Sequence, residues 1–119
     1  MVILLLARHR ELGLFRVHAL EGAGHDVIFP QHKQAALEVI VRGNFDLIVL
    51  SYSLSSDTAQ ELVEIARQKY PDRPVIAISE SGWEDTKLRP DATVLAGDGP
   101  DGMLDAIARV TRQGFRRVK

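Results

Sequence analysis

The sequence predicts a doubly wound α/β domain: a five-stranded parallel sheet in the order 2-1-3-4-5 with helices on both faces. Two observations carry this. Short apolar runs rich in β-branched residues, such as Val2–Leu6, Asp46–Leu50 and Val75–Ile78, alternate with longer segments whose apolar residues recur every three or four positions, which is the signature of βα units. At 119 residues the chain is one domain's worth, five such units fill it, and right-handed crossovers leave few arrangements, of which 2-1-3-4-5 is the common one at this length. Residues 1–112 are assigned to the domain and residues 113–119 to a basic C-terminal tail.

Element by element, strand one is Val2 to Leu6. The first helix runs from about Glu11 to Glu21 with Leu12, Phe15, Ala19 and Leu20 inward, and Gly22 or Gly24 is available as a left-handed cap. Strand two is Asp26 to Phe29. The second helix, Gln31 to Arg42, buries Ala36, Leu37, Ile40 and Val41 and stops at Gly43 before strand three, Asp46 to Leu50. Asp57 and Gln60 have the spacing of an N-cap and its reciprocal partner, with Leu62, Val63, Ile65 and Ala66 inward and Pro71 as the stop. Strand four is Val75 to Ile78. The following segment, Glu80 to Arg89, is a poor helix candidate because Gly82 and Pro90 bracket few apolar residues. Strand five, Thr93 to Leu95, leads through Gly97-Asp98-Gly99-Pro100 into a last helix with Met103, Leu104, Ile107 and Val110 inward.

Composition bounds the function. Charged residues make up 26% and the formal net charge is -1, which suggests neither disorder nor a general affinity for nucleic acid or acidic membranes. With no cysteine there is no disulfide, thiolate nucleophile or Cys-based zinc site. The starting run Met1–Ala7 lacks a basic lead and is interrupted by Arg8-His9-Arg10-Glu11, so it reads as a buried strand; no membrane span is expected, and the cytoplasm is the default location.

Ligands of such sheets bind beyond the carboxyl ends of the strands, at the switch point between strands one and three. Ala7, Arg8, His9, Ser51, Ser53 and Ser79 are therefore expected to line one crevice. The runs Val2–Leu6, Phe45–Ser51 and Pro74–Ser79 resemble strands one, three and four of response-regulator receiver domains of two-component systems, the CheY-like domains, and the resemblance covers nearly the whole chain. It implies the same fold and a role in bacterial signal transduction. In that family strand one ends in acidic residues that hold magnesium, strand three in the aspartate that accepts the phosphoryl group, strand four in Ser or Thr, and strand five in lysine. Carried over, the acidic pair falls on Ala7 and Arg8, the acceptor on Ser51, the hydroxyl on Ser79 and the lysine on Gly97. Only Ser79 matches.

The chemistry changes accordingly. A carboxylate is an ionised nucleophile at neutral pH, whereas a serine hydroxyl needs a general base, and Ser51 has none evident. Magnesium wants oxygen ligands, and Arg8 puts a fixed positive charge where the ion would sit. Asp46 offers no substitute, being about 16 Å away at the opposite end of the strand. Asp57 is explained as a cap, while Glu80 and Asp98, at the correct edge, could pair with Arg8 and fill the former metal site. The expectation is a degenerate pseudo-receiver that is not an enzyme, carries no cofactor or metal, and acts by binding a signalling protein partner; a homodimer is compatible with the sequence. The alternative is a small-anion or nucleotide binding protein, with Arg8, His9, Ser51, Ser53, Ser55 and Ser79 around one guanidinium. Serines at strand ends are also ordinary turn and cap residues.

Other features carry less. His9 and His32 lack a matched carboxylate or cysteine set. Gly22-Ala23-Gly24 follows a helix, the reverse of the dinucleotide-binding context, and Gly97–Gly102 lacks the order of a calcium loop. Trp83 could anchor a partner or pack over the sheet end. In receiver-like domains the face formed by the fourth crossover, strand five and the last helix meets partners, which by resemblance makes Trp83, Leu88, Val94 and Met103 candidates. The run Arg112–Lys119 carries four positive charges but no recognition motif, so it reads as a solvated terminus.

Overall fold

The structure is a computed structural model that describes residues 1–51, 56–79 and 89–112. All five strands pair in parallel in the order β2-β1-β3-β4-β5. They are β1 (Val2–Leu6), β2 (Asp26–Ile28), β3 (Leu47–Leu50), β4 (Val75–Ser79) and β5 (Ala92–Leu95). The described helices are α1 (Arg10–Gly22), α2 (Lys33–Arg42), α3 (Ser56–Lys69) and α4 (Gly99–Arg112), with a 3-10 turn over Ala96–Asp98 before α4. Among the described residues no helix is long and apolar enough to cross a membrane.

Alternation along the strands splits the core in two. Ile3, Leu5, Leu47, Val49, Ile76, Ile78 and Val94 face α1 and α4, where Leu20, Met103, Ala106, Ile107 and Val110 meet them. Leu4, Leu6, Ile48 and Leu50 face α2 and α3, packing on Ala36, Ile40, Leu62, Val63 and Ala66. Because both faces are covered, the central strands read as unbroken apolar runs rather than alternating ones.

Paired aspartate clamps fix the amino edge of the sheet. Asp46, just before β3, accepts a hydrogen bond from the Val2 N–H at 2.8 Å and donates its own N–H to the Val2 carbonyl at 2.7 Å. Asp91, just before β5, does the same to Val75, at 2.7 and 2.8 Å. Each clamp satisfies the first backbone groups of an inner strand and pins its register.

Several helix details depart from the sequence reading. Phe15 is 58% exposed, and the inward residues of α1 are Gly13, Arg16 and Leu20. The reason is Gly13, where a Cβ would collide with the Phe29 ring; this close approach sets the rotation of α1 and turns Phe15 to solvent. Val41 is likewise 50% exposed. Helix α2 begins two residues late, at Lys33, because the imidazole Nδ1 of His32 accepts from the Ala35 N–H at 3.3 Å and caps it. Asp57 is the second residue of α3 rather than its cap, where a carboxylate still suits the helix dipole. Gly24, at φ 93°, takes the left-handed position after α1, and Gly43, at φ 74°, does so after α2. The segment expected to be a weak fourth crossover lies almost wholly outside the described residues, as does the tail 113–119.

Candidate functional site

The crevice lies at the carboxyl edge, where β1 and β3 continue their ladder one residue beyond the strands: the Ser51 N–H donates to the Leu6 carbonyl at 2.8 Å. This holds Ser51 level with Ala7. Ser51 is only 4% exposed, and its hydroxyl accepts a hydrogen bond from Nη1 of Arg16 at 3.1 Å. Arg16 is itself 7% exposed. A buried guanidinium thus sits against the hydroxyl that ends the central strand.

Arg16 gets there because α1 starts at the exit of β1 and runs back over the sheet. Helix α1 packs over β1 and β2, its buried face is at positions 13, 16 and 20, and the long arginine stem lets its head reach the polar strand end at Ser51. Sequence reasoning missed this residue. The usable signal was Gly13: a glycine inside a helix costs about 1 kcal/mol relative to alanine, so its presence marks a close contact and hence the inward face, and Arg16 lies three residues on.

The other expected site residues are less concentrated. Arg8 and His9 are exposed, and His9 stands at the N-cap position of α1 without a side-chain cap bond. Arg8 lines a cleft of about 280 Å³ together with Gln31, His32, Lys33 and Thr58, and Ser51 is not part of that lining. Arg16, which the sequence reading did not single out, is a cation bonded to Ser51. Ser79 is half-buried at the end of β4, and Gly97 is exposed in the 3-10 turn after β5. Ser53, Ser55, Glu80, Trp83 and Leu88 lie outside the described residues.

Val94 and Met103 do not present a face to a partner. They are 6% and 2% exposed and belong to the core between the sheet and α4, because strand alternation directs Val94 inward and leaves its neighbour Leu95 at the surface, 42% exposed. Asp46 sits at the far edge in its clamp. Among the described residues no group of three or more His, Asp or Glu side chains is placed to hold a metal ion.

Fold and crevice define a class: a doubly wound five-stranded α/β domain with a buried serine and a buried arginine hydrogen-bonded at the carboxyl edge, at the switch point of β1 and β3. No protein-family model matches the chain, and no curated protein matches it by sequence. Solved structures do match. The chemotaxis protein CheY4 of Vibrio cholerae superposes with a TM-score of 0.79 at 19% identity, over 92% of this chain and 97% of its own. A CheY-like response regulator receiver domain from Methanospirillum hungatei gives 0.80 at 19% identity over 94% of both chains. The response regulator TrrA of Thermotoga maritima, solved in complex with Mg²⁺ and BeF, gives 0.79 at 18% identity, over 92% of this chain and 97% of its own. The fold is that of CheY-like receiver domains.

Proposed function

We propose that this protein is a receiver-like signalling module that works by protein–protein interaction and not by aspartyl phosphorylation. One observation carries the second half of this reading: the residue at the acceptor position is a serine, 4% exposed and hydrogen-bonded to a buried arginine. A hydroxyl that accepts from a guanidinium is bonded to a group that cannot serve as its base, and a fixed cation beside it opposes a metal ion. Ala7 and Arg8 stand where the family's metal-holding acids would be, and Gly97 where its lysine would be. A domain that keeps the scaffold without the reaction has binding left to it, and the chain is read as a non-enzyme whose output comes through another protein.

The test is a backbone amide NMR titration with Mg²⁺ plus beryllofluoride, repeated with acetyl phosphate and a panel of nucleotides. The expected result is no saturable shift at Ser51, Ser79 or Arg8. A second reading, a small-anion or nucleotide binding protein, is favoured by the cleft of about 280 Å³ in which Arg8 and Lys33 meet the start of α2. Saturable shifts at Arg8, His32 and Lys33 with phosphate or a nucleotide would replace the first reading with this one.

A further inference from the structure

The turn from α1 into β2 is a set of short backbone bonds around one glycine. The Ala23 and His25 N–H groups both donate to the Leu20 carbonyl at 3.1 Å, the Gly24 N–H donates to the Glu21 carbonyl at 3.0 Å, and Gly24 takes a φ of 93°. Asp26 then opens β2 by donating its N–H to the Met1 carbonyl at 3.0 Å. Between turn and strand stands His25, half-buried, whose Nδ1 is buried without a hydrogen-bond partner among the described residues. The strand it leads into is three residues long, lies at the edge of the sheet, pairs with β1 and has Asp26 exposed.

We propose that His25 is an acid-triggered release for β2: once protonated, its ring no longer fits the α1–β2 turn, and the edge strand leaves β1 while the central strands stay paired. A neutral imidazole leaves one nitrogen bare and carries its proton on the other, so an unpartnered Nδ1 is tolerable as an unused acceptor. An imidazolium carries a proton on both nitrogens, and a buried charged donor without an acceptor costs more. Burial and the Met1 amino group on the β1 side both disfavour the cation, and no neighbouring acid offsets them. Glu21 at the end of α1 and Asp26 at the start of β2 are exposed and form no ion pair with the ring, and the Asp46 carboxylate before β3 is engaged with the Val2 N–H.

Position keeps the opening local. An edge strand with one neighbour opens at a lower free energy than strands paired on both sides, so the strain of the charged ring is relieved there before the sheet as a whole gives way. Release bares the backbone edge of β1. Phe29, the residue after β2, rests where a Cβ on Gly13 would lie. The same opening therefore loosens the contact that sets the rotation of α1, the helix that carries Arg16 to Ser51.

The experiment is amide hydrogen exchange by NMR on the full chain at about pH 7.5 and about pH 5.5, on either side of the ordinary histidine value, with each rate divided by its intrinsic rate at that pH. Burial holds the ring below the ordinary 6.5, so the closed turn keeps its full stability above that value and loses it as pH falls through it toward the lower value of the closed turn. Protection of the His25 and Asp26 amides should fall at the lower pH by at least about threefold relative to Ile48 and Asp91. Those two reference N–H groups bond to the Pro74 and Val75 carbonyls at 3.0 and 2.8 Å, in the centre and toward the opposite edge of the sheet. His25→Gln, which takes up no proton, should abolish the difference between the two conditions. An NMR titration of the His25 ring in the native chain needs no variant and keeps the test decisive if the substitution fails to fold. Unchanged protection at His25 and Asp26, an equal loss at Ile48 and Asp91, a pH response that survives His25→Gln, or a ring that titrates at or above the ordinary 6.5 would each overturn the proposal.

Discussion

At the scale of single residues, the bond between Arg16 and Ser51 ties the site to the fold. A buried donor that loses its acceptor bears the desolvation cost of the group left behind, about 1–3 kcal/mol. Ser51→Ala should therefore destabilise the domain by an amount of that order even though it removes a single oxygen. Urea unfolding measures it, and a loss under about 0.5 kcal/mol, the usual range for surface changes, would show that the hydroxyl matters little to Arg16. His25 makes a separate prediction. Its Nδ1 is buried without a hydrogen-bond partner among the described residues; burial lowers its pKa from the ordinary 6.5, and the positive N-terminal amino group acts in the same direction. As pH falls, the unfolded chain then takes up the proton first. The stabilisation is complete above the unfolded value of 6.5 and is lost as pH drops through it toward the lower folded value. His25→Gln should flatten the slope of unfolding midpoint against pH between about 5.5 and 7.5, and an unchanged slope would remove His25 as its source.

At the scale of elements, what the sequence made legible followed from burial on two sides, and what it hid followed from burial on one. The strands could be placed to within a residue because runs such as Ile3–Leu6 and Leu47–Leu50 are apolar at every position, which no amphipathic helix would be. Helices α1 and α2 bury one stripe each, and an aromatic or β-branched residue beside the stripe is easily taken as part of it. Phe15 and Val41 were misplaced this way, and the error over Phe15 concealed Arg16. Glycines are better markers of where a helix touches something. Gly43 combines a left-handed φ of 74° with a Cβ position that the Tyr70 ring occupies. That ring is held by the Tyr70 hydroxyl donating to the Val41 carbonyl at 3.1 Å and by the Arg73 guanidinium 4.2 Å from its centre. Gly43→Ala should thus cost at least about 1–2 kcal/mol from backbone strain alone. Gly22→Ala, with open space around its Cβ and no positive φ, should instead stabilise by about 0.4–1 kcal/mol. Thermal unfolding of the two variants should shift in opposite directions.

At the scale of the whole molecule, the receiver scaffold was readable from the order of its strands, whereas the state of its crevice was only half readable. The residue types at the strand ends, Ala7, Arg8, Ser51 and Gly97, are read directly from the sequence. Arg16, which donates to Ser51, comes from a helix face that only packing reveals. This leads to a reconstitution experiment. Ala7→Asp, Arg8→Asp, Ser51→Asp and Gly97→Lys together would restore the family's residue types around the native hydroxyl of Ser79. The carboxylate introduced at position 51 would then lie where the Ser51 hydroxyl now accepts from Arg16 at 3.1 Å, and a buried arginine at that range would capture it as a charge-assisted pair. Magnesium would have to displace a cation that cannot diffuse away. The fourfold variant is therefore expected to fold yet to bind beryllofluoride with Mg²⁺ weakly or not at all, and adding Arg16→Met should restore binding by freeing the carboxylate. Amide shifts at Ser79 and the residues next to position 51 report occupancy, and circular dichroism checks that each variant is folded. If the fourfold variant binds as tightly as the fivefold one, Arg16 is a packing residue that does not keep magnesium out.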